Sequence, residues 1–375
     1  LLTNHYPSYH DLYRNGFVHS RVKAYAEKGV MVDVFRLRMN EPLSFDEFEG
    51  IDVLTGGSQA LETMLKSGRY KSVLVHFLSP EMWAVLEKYI DSIKVVVWLH
   101  GAEIHPSYRR AFNYETDTER ELAKLESDKR MSFWHSVLNS MPKNLHIVFV
   151  SNSFAQEVFE DMGFELPETQ FSIIHNPIET EKFSYEKKPI EQRKKILSIR
   201  PFSSRQYAND ISVQVILALS KKSFFKALEF RIIGNGKLFE ETVDPLRKFE
   251  NVILEQRFLN HEEISRLHKE YGLFLCPTRW DSQGVSRDEA MSSGLVPVTN
   301  AVAAIPEFVD ETCGVLAPGE DAQAMADGIA ELYENPEMFQ TISAAAAKRV
   351  RHQNVHSKIV LEELHVFNKN NADID

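Results

Sequence analysis

Cysteine is nearly absent: Cys276, inside the apolar run LFLC, and Cys313, before a glycine, are the only two. They share no metal-ligand spacing and offer no disulfide framework, which points to a reducing, cytoplasmic compartment. Neither is expected to be catalytic, because free cysteine is among the most buried residue types. Long apolar runs are missing as well. None approaches the roughly 20 residues that span a bilayer, so no membrane-crossing helix is predicted and only peripheral contact is left open. A basic excess is also lacking. With 54 acidic against 43 basic residues the net charge is -11, which argues against a general nucleic-acid binder, whose affinity rests on lysine and arginine pairing with phosphate. Any anionic ligand must be met locally. The opening LLTNHYPS has neither methionine nor the basic start of a signal peptide. It reads as cut inside a first strand, which leaves open that the chain is one domain of a longer polypeptide.

What is present is a globular composition, 43% hydrophobic and 26% charged over 375 residues, long enough for two domains of roughly 150–200 residues each. Short β-branched runs alternate with helix-length amphipathic segments, the pattern of βα units and parallel sheets. Candidate strands in the first half are 30–35, 72–78, 94–100, 146–151 and 171–176. The stretch 176–195, with two prolines and mixed charge, reads as a solvated connection between domains. The alternation restarts at 195–200, 228–234, 252–255, 273–277, 295–300 and 314–318. The predicted class is α/β: two doubly wound Rossmann-like domains, residues 1–180 and 181–354, facing an interdomain cleft. A closing helix at about 355–375 is expected to pack back on the first domain. Ligands of such sheets bind at the carboxyl ends of the strands. Residues 103–142 break the rhythm. Long, polar and helical in pattern, they read as a functional loop or lid.

Polar oddities collect at the predicted carboxyl ends. Gly16 opens the first helix and lets a ligand approach the backbone, or serves an ordinary tight turn. His100 and Gly101 end the strong strand 94–100. Arg200 and Arg205 share one loop, as two guanidinium forks suited to a diphosphate or as plain surface arginines. Gly234-Asn235-Gly236, with Glu255 about 20 residues on, invites a dinucleotide reading. Phe239 stands where its third glycine belongs. In RWDSQGVSRDEAMSSGLVPVTN, residues 279–300, Ser286 and Glu289 read as a capping box. The same helix start also suits an anionic or polyhydroxylated ligand.

In content and order, NGF, LHGAE, FVSNSFAQEVFEDMGF, IIHNPIE, RPFSSRQYAND, IIGNGKLFE, CPTRWDSQGVSRDEAMSSGLVPV and IPEFV resemble the GT-B glycosyltransferases, and among them the large retaining class called family 4. The likeness runs through nearly the whole chain. Its most specific element is a pair of acids separated by seven residues, here Asp281 and Glu289. The first acid is usually glutamate, and the loop with Arg200 and Arg205 usually carries an arginine and then a lysine.

The resemblance implies a retaining transfer of a hexosyl group from a nucleoside-diphosphate sugar, UDP-sugar favoured, to a hydroxyl of a glycan, glycolipid or cell-surface polysaccharide precursor. It implies that Glu289 binds the ribose, that the backbone of Gln283, Gly284, Val285 and Ser286 holds the sugar and diphosphate, and that Asp281 meets the transferred sugar. Arg200 and Arg205 would neutralise the leaving diphosphate. Asn235, Phe258 and Leu259 would line the base pocket, Gly16 would approach the diphosphate and His100 the sugar. Neither a metal nor a cofactor beyond the donor is implied, since fixed guanidinium groups and a helix start can stabilise the leaving charge. The acceptor wall is expected at Tyr108, Arg109 and Arg110, with Phe112 and Trp134, where a lipid-linked acceptor would bring weak peripheral contact with the inner face of a membrane; an exposed helix pair is the plain alternative. Two other readings stay open: an NAD-type oxidoreductase built on Gly234, Gly236 and Glu255, and a catalytically silent nucleotide-sugar-binding module.

Overall fold

In the computed structural model, which describes residues 1–10 and 15–368, the apolar runs become strands of two sheets. The first half supplies β1 (Leu2–Thr3), β2 (Val34–Leu37), β3 (Ser44–Phe48), β4 (Ile51–Gly56), β5 (Ser72–His76), β6 (Lys94–Leu99), β7 (Leu145–Phe149) and β8 (Phe171–Ile173). They lie in the order β3-β4-β2-β1-β5-β6-β7-β8, all parallel except β3, which runs antiparallel to β4. The second half supplies β9 (Lys195–Ile199), β10 (Glu229–Gly234), β11 (Val252–Gln256), β12 (Leu273–Leu275), β13 (Val296–Ala301) and β14 (Val315–Pro318), in the parallel order β11-β10-β9-β12-β13-β14. In each sheet the winding reverses beside its first strand, β1 or β9. Such switch points open a crevice at the strands' carboxyl ends. The architecture is the expected GT-B pair of Rossmann-like sheets.

Each sheet has its own core. Val75, Val97, Leu99, Ile147 and Phe149 pack in the first, and Ile196, Ile232, Leu275, Val298 and Phe339 in the second. Near-continuous apolar runs fit strands covered on both faces. The chain crosses between the sheets twice, and the crossings touch: Ile178 bridges to Val355, and the Ile178 N–H donates to the Asn354 carbonyl at 2.8 Å. Beyond the second crossing, the His356–Asn368 helix lays Ile359, Val360, Leu364 and Phe367 against Tyr25, Leu74, Trp98 and Val148 of the first sheet's layer. The remainder of the expected closing helix, 369–375, lies outside the described residues.

Two expectations change. The β3–β4 hairpin was not anticipated. Its turn is Glu49-Gly50, both at positive φ (47° and 82°), as a two-residue hairpin loop of the primed type requires. Residues 103–142, expected as a functional loop or lid, contain a helix packed on the first domain. The 24-residue helix Asp117–Ser140 starts in a Thr116/Glu119 capping box and buries Trp134, Val137 and Leu138.

Candidate functional site

The helix that follows β12 begins at Val285, one residue after Gly284, whose φ of 97° supplies the left-handed turn into it; no side chain caps it. The expected capping box is therefore not formed. Ser286 lies inside the first turn, and its Oγ instead accepts a hydrogen bond from Arg200 Nη1 at 2.9 Å. An uncapped first turn leaves backbone N–H groups without intrahelical partners and a partial positive charge. Arg200 brings a full positive charge to that point. It follows β9, is 5% exposed, and lies over the Tyr207 ring at 4.9 Å. Its Nε is buried without a partner among the described residues, so the guanidinium has donor capacity that they do not use.

Two glycines place Arg200. A Cβ at Gly234 would lie 1.9 Å from the Arg200 carbonyl oxygen, and one at Gly236 would lie 2.2 Å from the Phe202 carbonyl carbon. The Gly-Asn-Gly turn is pressed against the arginine loop, and Phe239 packs on Phe202 with ring centroids 4.7 Å apart. Glu255, the acid of the dinucleotide reading, is held by Arg231 at 2.6 Å and Arg257 at 2.7 Å. These residues are accounted for by packing and ion pairing.

Trp280, immediately before Asp281, crosses into the first domain and joins its core. Its Nε1 donates to Glu157 Oε2 at 2.8 Å, and its ring meets His105 edge-on at 4.3 Å. Ser282 Oγ donates to the His100 carbonyl oxygen at 3.0 Å. Asp281, between those two anchors, accepts from the Gln283 N–H at 3.3 Å. The acid and His100 thus stand on facing walls of the cleft, joined through their neighbours. Cys276, at the base of the loop, has its thiol pushed up to about 11 by burial, opposed by the charges of Arg200 and Arg287. It stays a protonated, buried side chain.

Glu289 lies one turn into the helix, and its carboxyl accepts no hydrogen bond from the described residues. Burial, and then the charges of Glu179 and Asp288, push its carboxyl up to about 8, with Lys182 opposing. Glu179 and Lys182 line a cavity of about 790 Å³ between the domains, together with Gly16, Ser20 and His261. A Cβ at Gly16 would meet nothing within 4 Å among the described residues.

Sequence reasoning missed a buried polar chain behind this surface. Gln283, 1% exposed, accepts from the Asn176 N–H at 2.6 Å and donates to the Asn176 carbonyl at 3.1 Å and to Asp288 at 3.0 Å. Asp288 also holds Arg287 at 2.6 Å and accepts from Asn354 at 2.9 Å. Asn176 Oδ1 in turn accepts from Arg21 at 2.9 Å, and Arg21 pairs with Glu363 at 2.8 Å. The chain joins both interdomain crossings to the start of the helix. Glu307 of IPEFV was also missed; it accepts from the N–H groups of Asn152 and Ser153 at 3.0 and 3.1 Å and caps a first-domain helix from the second domain.

Several expected residues are not brought together. Arg205 is ion-paired with Glu115, away from the Arg200–Ser286 contact. Tyr108 and Arg109 are tied to Asp161, the arginine at 2.6 Å. Arg110 makes no ion pair among the described residues, and its charge acts on both Glu103 and Tyr207. Trp134 is 1% exposed, with Nε1 donating to the Glu103 carbonyl at 2.6 Å, so it cannot form an acceptor wall. Leu259 is 4% exposed and packs in the core. Phe258 is 56% exposed. Asn235 Oδ1 accepts from the Gly236 N–H at 2.8 Å. The sequence's single Asp-x-Asp triplet, Asp373 to Asp375, lies outside the described residues, among which no cluster of three metal-ligating side chains occurs.

Comparison with curated protein sequences gives no match. Among solved structures, the chain is similar to sucrose-phosphate synthase from Thermosynechococcus elongatus (TM-score 0.74, 14% identity, 95% of this chain and 92% of that one). It is also similar to WaaG, a glycosyltransferase involved in lipopolysaccharide biosynthesis (TM-score 0.69, 14% identity, 99% and 100%). A third similar structure is a mutant of S. aureus TarM in complex with fondaparinux, α-GlcNAc-glycerol and UDP (TM-score 0.61, 15% identity, 85% of this chain). The chain spans 60% of that protein's length. Residues 193–335, which carry Arg200, Asp281, Ser286 and Glu289, match the model of glycosyl transferases group 1. The chain has the GT-B fold, and across residues 193–335 it is similar to glycosyl transferases group 1.

Proposed function

We propose that this protein is a retaining glycosyltransferase that moves a hexosyl group from a nucleoside-diphosphate sugar to a hydroxyl of a glycan, glycolipid or polysaccharide precursor. One observation carries the reading: Arg200, fixed by Tyr207 and Ser286, adds its charge to an uncapped helix start. Glu289, whose carboxyl has no hydrogen-bond partner among the described residues, lies one turn further. Such a surface suits a diphosphate at the helix start and a ribose diol at the acid. The backbone from Gln283 to Ser286 holds the diphosphate, and Asp281 and His100 face the sugar from either wall. Gly16 leaves room for the diphosphate on the first-domain side, and Asn235 and Phe258 border the base.

In the reaction the bond from the anomeric carbon to the phosphate oxygen breaks. The acceptor oxygen bonds on the same face, and its proton passes to the departing phosphate. No protein nucleophile is needed. Negative charge grows on the leaving diphosphate, where Arg200 and the helix dipole stabilise it more than they stabilise the bound donor; the reaction is read as metal-independent. UDP is the favoured nucleotide, supported by the UDP in the TarM complex. Arg110, facing both walls, is the residue of its segment best placed to meet an acceptor. No helix among the described residues is long and apolar enough to cross a membrane, and a lipid-linked acceptor would be reached from the cytoplasmic face.

The test is incubation with UDP-glucose, UDP-GlcNAc, GDP-mannose and ADP-glucose. Nucleoside diphosphate release is followed, together with proton NMR of the anomeric configuration of the product. Release from one donor with retained configuration is expected. An inverted product would overturn the retaining assignment. Binding without release from any donor would favour the silent module.

A further inference from the structure

His76 is a buried titratable side chain to which the reading above gives no role. It ends β5, opposite Trp98 of the adjacent β6, and its Nδ1 lies 3.0 Å from Nε2 of His100. His76 is fully buried. Its ring stacks on Trp98, with centroids 4.9 Å apart at 22°, and on His100 at 5.3 Å and 19°. Phe17 and Phe77 close on the His100 ring at 5.0 and 4.7 Å. Burial, His100 and Arg21 hold the His76 imidazole well below its ordinary range, and burial and Arg21 bring His100 down to about 3. Both rings are neutral at physiological pH.

Two neutral imidazoles at this distance share one hydrogen, in one of two arrangements. In the first, His100 donates from Nε2, and His76 must keep its own hydrogen on Nε2. That atom is buried without a partner among the described residues, so an orphaned N–H results, the rarer defect in folded proteins. In the second, His76 donates from Nδ1, and only a bare lone pair is left at its Nε2. His100 then accepts at Nε2 and carries its own hydrogen on Nδ1.

We infer that His76 is a positioning residue that fixes His100 as the Nδ1–H tautomer, so that His100 offers a hydrogen-bond donor to an oxygen of the transferred sugar. Which nitrogen of a histidine is protonated is set by the bond its other nitrogen makes, and here that bond comes from a ring stacked in place. A donor of fixed direction selects a sugar oxygen able to accept. The inference rests on the proposal that His100 faces the sugar.

The test is nitrogen NMR of the full chain labelled at histidine, which reports the protonated ring nitrogen directly. Wild-type His100 is expected as the Nδ1–H form, and His76→Asn, whose Nδ2 still donates, is expected to keep it. His76→Leu is expected to release it into a mixture, with kcat on UDP-glucose or UDP-GlcNAc falling about tenfold and KM nearly unchanged. Wild-type His100 protonated at Nε2, or an unchanged Nδ1–H form in folded His76→Leu, overturns the inference. If His76→Leu does not fold, the wild-type spectrum decides. An unchanged transfer rate in His100→Ala would instead remove the sugar-facing reading, leaving the tautomer assignment intact.

Discussion

Gly101 carries the indole of Trp280 directly over its α-carbon: a Cβ there would lie 2.2 Å from the ring. The contact spans the two domains and sets the loop that holds Asp281. Gly101 also has a φ of 133°, a conformation that L side chains rarely adopt. Gly101→Ala is therefore expected to expel Trp280, lower stability by about 1–3 kcal/mol and reduce transfer by displacing Asp281. Tryptophan fluorescence and a melting curve check it; an unchanged spectrum and melting temperature would contradict the contact.

Arg200→Ala is expected to weaken nucleoside diphosphate binding by about 10- to 100-fold, the scale of a charge-assisted hydrogen bond. Apo stability should change by no more than about 1 kcal/mol, since among the described residues its side chain donates only to a hydroxyl. Ser286→Ala should weaken binding less. Calorimetric titration with UDP separates the two, and equal affinity in wild type and Arg200→Ala would remove the arginine from the site.

Glu289 gives a prediction in pH. Its folded carboxyl is raised from 4.5 to about 8. A raised carboxyl contributes stability that is fully present below the unfolded value and is lost as pH rises through the folded one. Glu289→Gln should therefore gain on the wild type between pH 4.5 and 8, reaching on the order of 2–4 kcal/mol above pH 8. A ribose diol donates to the ionised form, so wild-type donor affinity should rise towards pH 8 and then level, with proton uptake by the buffer on binding at pH 7. Calorimetry in buffers of different ionisation heat measures the proton. Affinity independent of pH between 6 and 9 would contradict ribose binding at this acid.

Asp288 is a hub for stability. Asp288→Ala leaves Arg287, 1% exposed, charged and unpaired, at an expected loss of about 3–5 kcal/mol. The double variant Arg287→Met, Asp288→Ala should recover part of it, because no buried charge is then left alone. Denaturant melts of the three proteins decide; a single variant as stable as wild type would show the pair to be dispensable.

Much of the frame is legible in the sequence because buried parallel strands write themselves as continuous apolar runs. The β3–β4 hairpin is not: β3, SFDEF, lies at the sheet edge with three exposed residues, so no run betrays it, and only Glu49-Gly50 could have. The arginine, the acids and the glycine loop are visible as residue types at strand ends. What Ser286 does is not, because the local capping pattern is satisfied in sequence while Arg200, 86 residues away, takes the hydroxyl. Gln283 is legible only for its backbone, and Asp288 only as a helix-start residue. Their burial is created by Asn176 and Asn354, which come from the two crossings. Gly101 is legible as a glycine, but its reason, Trp280, belongs to the other domain.

A nucleoside diphosphate is expected to bind at the Arg200–Ser286 helix start. Thermal unfolding with UDP, GDP, ADP, CMP and NAD, with and without magnesium, in wild type and Arg200→Ala, tests it most directly. One nucleoside diphosphate at 100 times its dissociation constant should stabilise the wild type by about 2.7 kcal/mol, with or without magnesium, and the shift should largely vanish in Arg200→Ala. A shift with NAD alone, or a diphosphate shift that survives in Arg200→Ala, would exclude diphosphate binding at that helix start.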